Sequence, residues 1–343
     1  PEASLVSEGY GSANADSYSD AILNYGAGVS NHSYVQTAGS YDSTAAGVDA
    51  IVRGNATDSD GNTVPPRLAV WAAANQGMSS QWNNEEGFYS VYSPAKNSLS
   101  VGSIDSADGE LSMFSSKGPT FDGRIKPDVM APGSRSWNAG NNSSPTTGIQ
   151  STEIGGGYVG KSGTSMAAPA TTGVIALMLE QYHETISASS TPLPATLKAI
   201  LVNTADDLVH TASDGSDDND PDLCRAEGSG GTRLDWTDPL DDDCWIPYGP
   251  GPDFATGYGA INAVKAVAAV RGQMFLEDSL SPSDTEDTFT IQVPAGRDEL
   301  RFTLAWDDEP GNASAAVTTN QLVNDLDLRL IAPDSTVHLP FTL

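Results

Sequence analysis

Basic residues are scarce in this sequence: 16 Lys and Arg stand against 45 Asp and Glu, for a formal net charge of −29. Nucleic-acid binding needs clustered cations to meet phosphates, so that class of partner is excluded, and anionic membrane surfaces with it. Long apolar runs are missing too. The longest, around residues 173–179, falls well short of the ~18 residues a membrane-spanning helix requires. Cysteine is nearly absent: Cys224 and Cys244 are the two present, both in an acidic stretch. Two thiols cannot build a zinc site unaided. They are expected to close one surface loop as a disulfide in an oxidising compartment, with free surface thiols as the alternative. There is no initiator Met and no secretory leader. The chain opens at Pro1 and is expected to be a mature form or a fragment whose beginning has been removed.

What is present is enough chain, 343 residues, for a sizeable core in one large or two smaller domains. Gly and Pro, at 34 and 21, are near ordinary usage, so the chain is not disordered. The acidity fits a salty or extracellular medium, where screening weakens self-repulsion; a merely soluble acidic protein fits equally well.

Along the chain, residues 18–24 read as a helix end, 28–34 as a short strand and 43–52 as a helix with its apolar residues on one side. Residues 58–66 form a turn-rich loop. Residues 67–74 (RLAVWAAA) are a continuous apolar run, as a strand buried on both faces of a parallel sheet requires, and 99–104 are another short strand. Helices follow at 165–180, 194–204 and 260–270. The first has Val174, Leu177 and Met178 at apolar spacing and Pro169 near its first turn, where a missing N–H costs least. Strands alternating with helices predict an α/β domain over residues 1–272, a parallel sheet flanked by helices. It is interrupted by an acidic surface insertion at about 206–253, with 13 Asp and one Glu against Arg225 and Arg233. After Gly272 the texture changes. Residues 288–293, 300–306 and 326–331 alternate with period 2, which predicts an all-β sandwich module over 273–343. At about 70 residues it is short of the ~100 a β-sandwich usually takes, so it is expected to be cut short.

The stretch Gly163-Thr164-Ser165-Met166-Ala167-Ala168-Pro169 carries the chemistry. A Ser after a Gly turn, at the start of a buried helix, sits beside unpaired N–H groups and a partial positive charge. An oxyanion forming there would be stabilised, partly by the N–H of Ser165 itself. An N-cap Ser is the plain alternative.

These residues resemble the nucleophile motif of the subtilisin-like serine proteases, the subtilases. Ala72-Ala73-Ala74-Asn75-Gln76-Gly77 is similar to the family's A-A-G-N-x-G oxyanion segment. Ser93-Pro94-Ala95-Lys96-Asn97, the stretch 114–133 and Gly257-Tyr258-Gly259-Ala260-Ile261-Asn262-Ala263 resemble further family segments in the right order. Leu322-Val323-Asn324-Asp325-Leu326-Asp327-Leu328 resembles the β-barrel that follows the catalytic domain in the oxidation-resistant alkaline proteases. The resemblance implies that Ser165 is the nucleophile of a secreted, monomeric endopeptidase acting on proteins or peptides. Asn75 would donate its side-chain N–H to the oxyanion, and Ser33, Ala73 and Ala74 would contact substrate. Ala74 departs from the family's usual Gly, and its methyl bears on substrate preference. Calcium, common among subtilases, is an expected structural cofactor. Asn324, Asp325 and Asp327 are candidate ligands, and the hard oxygens at 214–222 suit the ion chemically.

The family's order is Asp, His, Ser, with its Asp in D-[ST]-G and its His in H-G-T. Neither motif occurs here. His32, His183, His210 and His338 are expected to be ordinary core or surface side chains. The missing pair is therefore expected upstream of Pro1, and the chain alone, without a base for Ser165, is expected to be inactive. The rival reading is a catalytically inactive subtilase-fold binding module. A cell-surface protein that adheres through its β module is a third.

Overall fold

The computed structural model describes residues 3–9, 13–37, 39–77, 88–107, 109–136, 147–209, 250–281, 283, 285–293, 295–296 and 299–341. Cys224, Cys244, His210 and the carboxylates of 214–222 lie outside them.

Local chemistry starts the first two helices. Asn14 accepts from Ser17 N at 3.0 Å while Ser17 Oγ accepts from Asn14 N at 3.3 Å, a reciprocal cap that opens α1 (Ala15–Leu23). Asp42 accepts from the amides of Thr44 and Ala45 and opens α2 (Ser43–Arg53), which ends at Gly54 in a left-handed conformation, φ 84°.

The sheet is parallel throughout, in the order β1 (Val29–His32), β2 (Leu68–Ala72), β3 (Leu99–Asp105) and β4 (Val129–Ser134). Every residue of β2 and β3 is buried, as the continuous apolar run predicts. Alternation along β2 divides the core. Leu68, Val70 and Ala72 pack with α3 (Thr164–Thr185), α4 (Pro194–Thr204) and α5 (Ala263–Arg271) on one face. Ala69 and Trp71 pack with Tyr18 and Ile22 of α1 and Val48 and Val52 of α2 on the other. The result is the expected α/β architecture, a parallel sheet between two helical layers.

Three features differ from expectation or were missed. Strand β4 and the antiparallel hairpin β5 (Ile149–Thr152) and β6 (Tyr158–Lys161) were not anticipated. On α3, Leu177 is 49% exposed, and Ile175 joins Met178 at 0%. The buried stripe is therefore rotated from the one the spacing suggested. Within residues 273–343, the described residues give one antiparallel ladder, β7 (Leu330–Ile331) with β8 (Val337–His338). Residues 288–293 and 300–306 form no ladder. Alternation supplies the side-chain pattern of a strand, but a ladder also needs a neighbour for its N–H and C=O groups. Residues 288–293 are exposed on every side chain.

Candidate active site

Two strand ends and one helix start converge. β2 delivers Ala73, Ala74 and Asn75 beyond its last residue. β1 delivers Ser33. Gly163, in the positive-φ region at 153°, turns the chain into α3 and puts Thr164 and Ser165 at its first positions. This helix has no side-chain cap of its own. Its first N–H, that of Thr164, instead bonds Asn75 Oδ1 at 2.9 Å, and Thr164 Oγ1 donates to the same oxygen at 3.1 Å. Two donors on Oδ1 fix which way the amide faces, because Oδ1 is its acceptor end and Nδ2 its donor end. Nδ2 lies on the Gly163 side, 3.4 Å from where a Cβ on that residue would stand.

Ser33 and Ser165 grip one another. Ser33 Oγ donates to Ser165 O at 2.8 Å, and Ser165 Oγ donates to Ser33 O at 3.2 Å. Ser165 is half-buried and Ser33 exposed, so the pair sits at a surface reachable by a ligand. Among the described residues, no His and no carboxylate bonds Ser165 Oγ.

Ala74 occupies φ 99°, a region costing a side-chain-bearing residue about 1–3 kcal/mol. Its neighbours hold it there: its N–H donates to Thr164 Oγ1 at 3.3 Å and its carbonyl accepts from Ser116 N at 3.0 Å. This conformation is a physical reason for glycine at the matching family position. Ala74 is 4% exposed and Ala73 fully buried, the N–H of Ala73 donating to Val101 O and its carbonyl accepting from Tyr92 N, both at 2.9 Å. Gly77 closes the loop against backbone, where a Cβ would lie 2.2 Å from Ser115 O.

His32 adjoins Ser33 but faces the opposite side of the sheet. Its Nε2 pairs with Tyr18 Oη at 2.6 Å and Ser30 Oγ at 3.0 Å, its Nδ1 with Tyr34 Oη at 2.9 Å, and its ring stacks on Trp71 at 4.2 Å. Burial lowers its pKa to about 4. His32 is thus a neutral core histidine. His183 and His338 are exposed.

Elsewhere, Asn324 gives both its N–H and its Nδ2 to Asp308 Oδ1, at 3.0 and 2.9 Å, while Asp325 and Asp327 are exposed. Asn324 Nδ2 thus serves as a donor to Asp308. Among the described residues, no three His, Cys, Asp or Glu side chains gather to hold a metal ion.

The structure brings together Ser165, Asn75 and Ser33, which sequence reasoning singled out. That reasoning missed Thr164 as the group orienting Asn75, although Thr164 stands inside the quoted motif.

Comparison with known proteins gives the family. The model of the Subtilase family matches residues 3–230. Among curated proteins, the serine protease/ABC transporter B family protein tagD of Dictyostelium discoideum is 29% identical over 253 residues, covering 66% of this chain and 13% of its own length. The serine protease AprX of Bacillus subtilis is 36% identical over 119 residues, 32% of this chain and 25% of its own. The chain thus spans only a small part of the relatives it matches. Among solved structures, the patellamide maturation protease PatA aligns at 21% identity with a TM-score of 0.44, over 74% of this chain and 66% of that one.

Proposed function

The chain belongs to the Subtilase family, and from that premise we propose that it carries the nucleophile and oxyanion half of a secreted serine endopeptidase. Ser165 Oγ adds to the scissile carbonyl carbon, and the carbonyl π electrons move onto oxygen. Asn75 Nδ2 and the Ser165 N–H, at the positive end of α3, take that oxyanion. Collapse breaks the C–N bond, the departing amine takes the proton that left Ser165, and water then hydrolyses the ester on Ser165. The proton needs a carrier. The reading assigns it to a His held by an Asp, both preceding Pro1 in the complete protein, since this sequence has neither D-[ST]-G nor H-G-T. By itself the chain is then a poor nucleophile without a base. A monomer acting on protein or peptide substrates is part of the same proposal.

The observation that carries this reading is the pair of hydrogen bonds from Thr164 N and Oγ1 to Asn75 Oδ1, which leaves the donor end of the amide to serve the surface beside Ser165. A turn-forming Asn would need no such alignment.

The test is fluorophosphonate labelling and casein cleavage by the complete protein. Ser165→Ala is expected to abolish both. Asn75→Ala is expected to lower kcat by about 10²–10³ with little change in KM, a size taken over from a subtilisin. Labelling that survives Ser165→Ala would remove Ser165 as nucleophile. A complete protein that neither labels nor cleaves would favour the inactive binding module.

A further inference from the structure

Lys96 is 7% exposed and Asn97 2%, at the end of the loop that leads into β3. A buried ammonium is costly unless its donors are met. All the hydrogen bonds that Lys96 Nζ makes reach across more than 200 residues, to Asp308 Oδ2 at 2.6 Å, Glu309 O at 2.5 Å and Gln321 O at 2.8 Å. Three N–H donors thus meet three acceptors, all beyond Gly272. Asp308, whose side chain is 2% exposed, is just as fully engaged, accepting also from Val323 N and from Asn324. Asn97 pairs with the backbone of Asp308 in both directions, Nδ2 to Asp308 O at 2.8 Å and Asp308 N to Oδ1 at 2.9 Å. Buried residues of the α/β part are therefore built around this distant segment.

The same loop reaches the cleft from its other end. Tyr92 N donates to Ala73 O at 2.9 Å, two residues before Asn75. Tyr92 O accepts from Gln36 N at 2.9 Å, three residues after Ser33. Gln36 Oε1 in turn accepts from Ala95 N at 3.2 Å, next to Lys96. A single loop thus ties both strand ends of the cleft to each other and, through Lys96 and Asn97, to Asp308.

We propose that Asp308 is a positioning residue for the cleft: by holding Lys96 and Asn97 it braces the loop that fixes Ala73 and Gln36, and so the residues on either side of Ser165. The consequence for cleavage rests on the protease reading; the brace itself does not.

The two can be tested apart. Amide hydrogen exchange is followed in the 343-residue chain and in Asp308→Asn, which removes the charge while keeping the shape. Exchange at Tyr92 and Gln36 is expected to quicken about ten-fold, with β3 amides changed less than about two-fold. Lys96→Met/Asp308→Asn, which removes the ammonium along with the opposing charge and keeps at 308 an oxygen to accept from Val323 N and Asn324, is expected to restore most of the protection and keeps the test open if the single variant folds poorly. Arg301→Ala breaks contacts from the same module to Asn203 O and Ala205 O and is expected to leave Tyr92 and Gln36 unchanged. Unaltered exchange in Asp308→Asn would overturn the brace. So would β3 amides quickening in step, or Arg301→Ala acting equally. In the complete protein, Asp308→Asn is expected to lower kcat more than it raises KM. If exchange responds but no protein cleaves, the brace stands and the protease reading falls.

Discussion

The last residue of β1 faces a core and the one after it the surface, and the difference sets their chemistry. Ser33 is exposed and bonded to Ser165. His32, one position earlier, is enclosed by Tyr18, Tyr34 and Trp71. Burial lowers the pKa of His32 from 6.5 to about 4. The unfolded chain therefore takes up a proton between those values that the folded chain refuses. The stability tied to a neutral His32 is fully present above pH ~6.5 and is lost as pH falls toward ~4, roughly 3 kcal/mol in all. The ring protons of His32, followed by NMR, are expected to titrate with a midpoint near 4; a midpoint near 6.5 would mean the ring is open to water. The sequence placed His32 correctly as an ordinary histidine. Its partners were not legible, because Tyr18 and Trp71 lie 14 positions before and 39 after it and meet it only once β1, β2 and α1 are stacked. Asn75 and Ser165 were legible because each sits in a short motif that carries its own turn. The hold of Thr164 on Asn75 was not, since it spans 89 positions.

At the level of elements, legibility followed the completeness of the local signal. Helix α4 spans the residues its pattern and starting Pro194 indicate, because Pro suits a first turn and the apolar spacing is helical. Strand β4 includes Pro132 and Gly133, residues that argue against a strand, and was missed for that reason. Helix α3 was found, but its buried face was not. Its weak amphipathicity comes from Ala and Gly filling several sides, so the sheet decides which side chains go inside. Met178→Ala, at a fully buried position, is expected to cost about 2–5 kcal/mol. Leu177→Ala, at a 49% exposed position, is expected to change stability by less than about 0.5 kcal/mol. Urea denaturation of the two variants checks this, and equal losses would mean that the helix is rotated from its described setting.

For the whole molecule, −29 charges on 343 residues make self-repulsion a standing term in stability. Among the described residues, Lys96 and Lys126 are buried cations held by carboxylates. Lys126 and Lys198 flank Asp128 at 2.6 and 2.9 Å. Burial alone would raise the Asp128 pKa, but the two ammonium groups more than offset it and hold the carboxyl below its ordinary range. The surplus acid lies mostly outside such pairs, where salt screens it, the Debye length shrinking from ~30 Å at 0.01 M to ~3 Å at 1 M. Tm is therefore expected to rise with NaCl across that range, measured by differential scanning fluorimetry. A falling curve would show that the ion pairs outweigh the repulsion. The overall charge and the α/β class were legible in composition and periodicity alone. The all-β character of residues 273–343 was legible too, and the ladder of β7 and β8 agrees with it; which further stretches pair was not, because period-2 alternation describes faces and says nothing of neighbours.

The mutual grip of Ser33 and Ser165 also sets a cost on entry. An occupant that bonds either hydroxyl has to turn it away from the other residue's carbonyl, and one that engages both has to part both bonds. Two such bonds at a wet surface are together worth about 1–3 kcal/mol, a threshold that a weak or badly aligned visitor does not repay. The latch thereby filters ligands by how many replacement contacts they bring, before any chemistry begins.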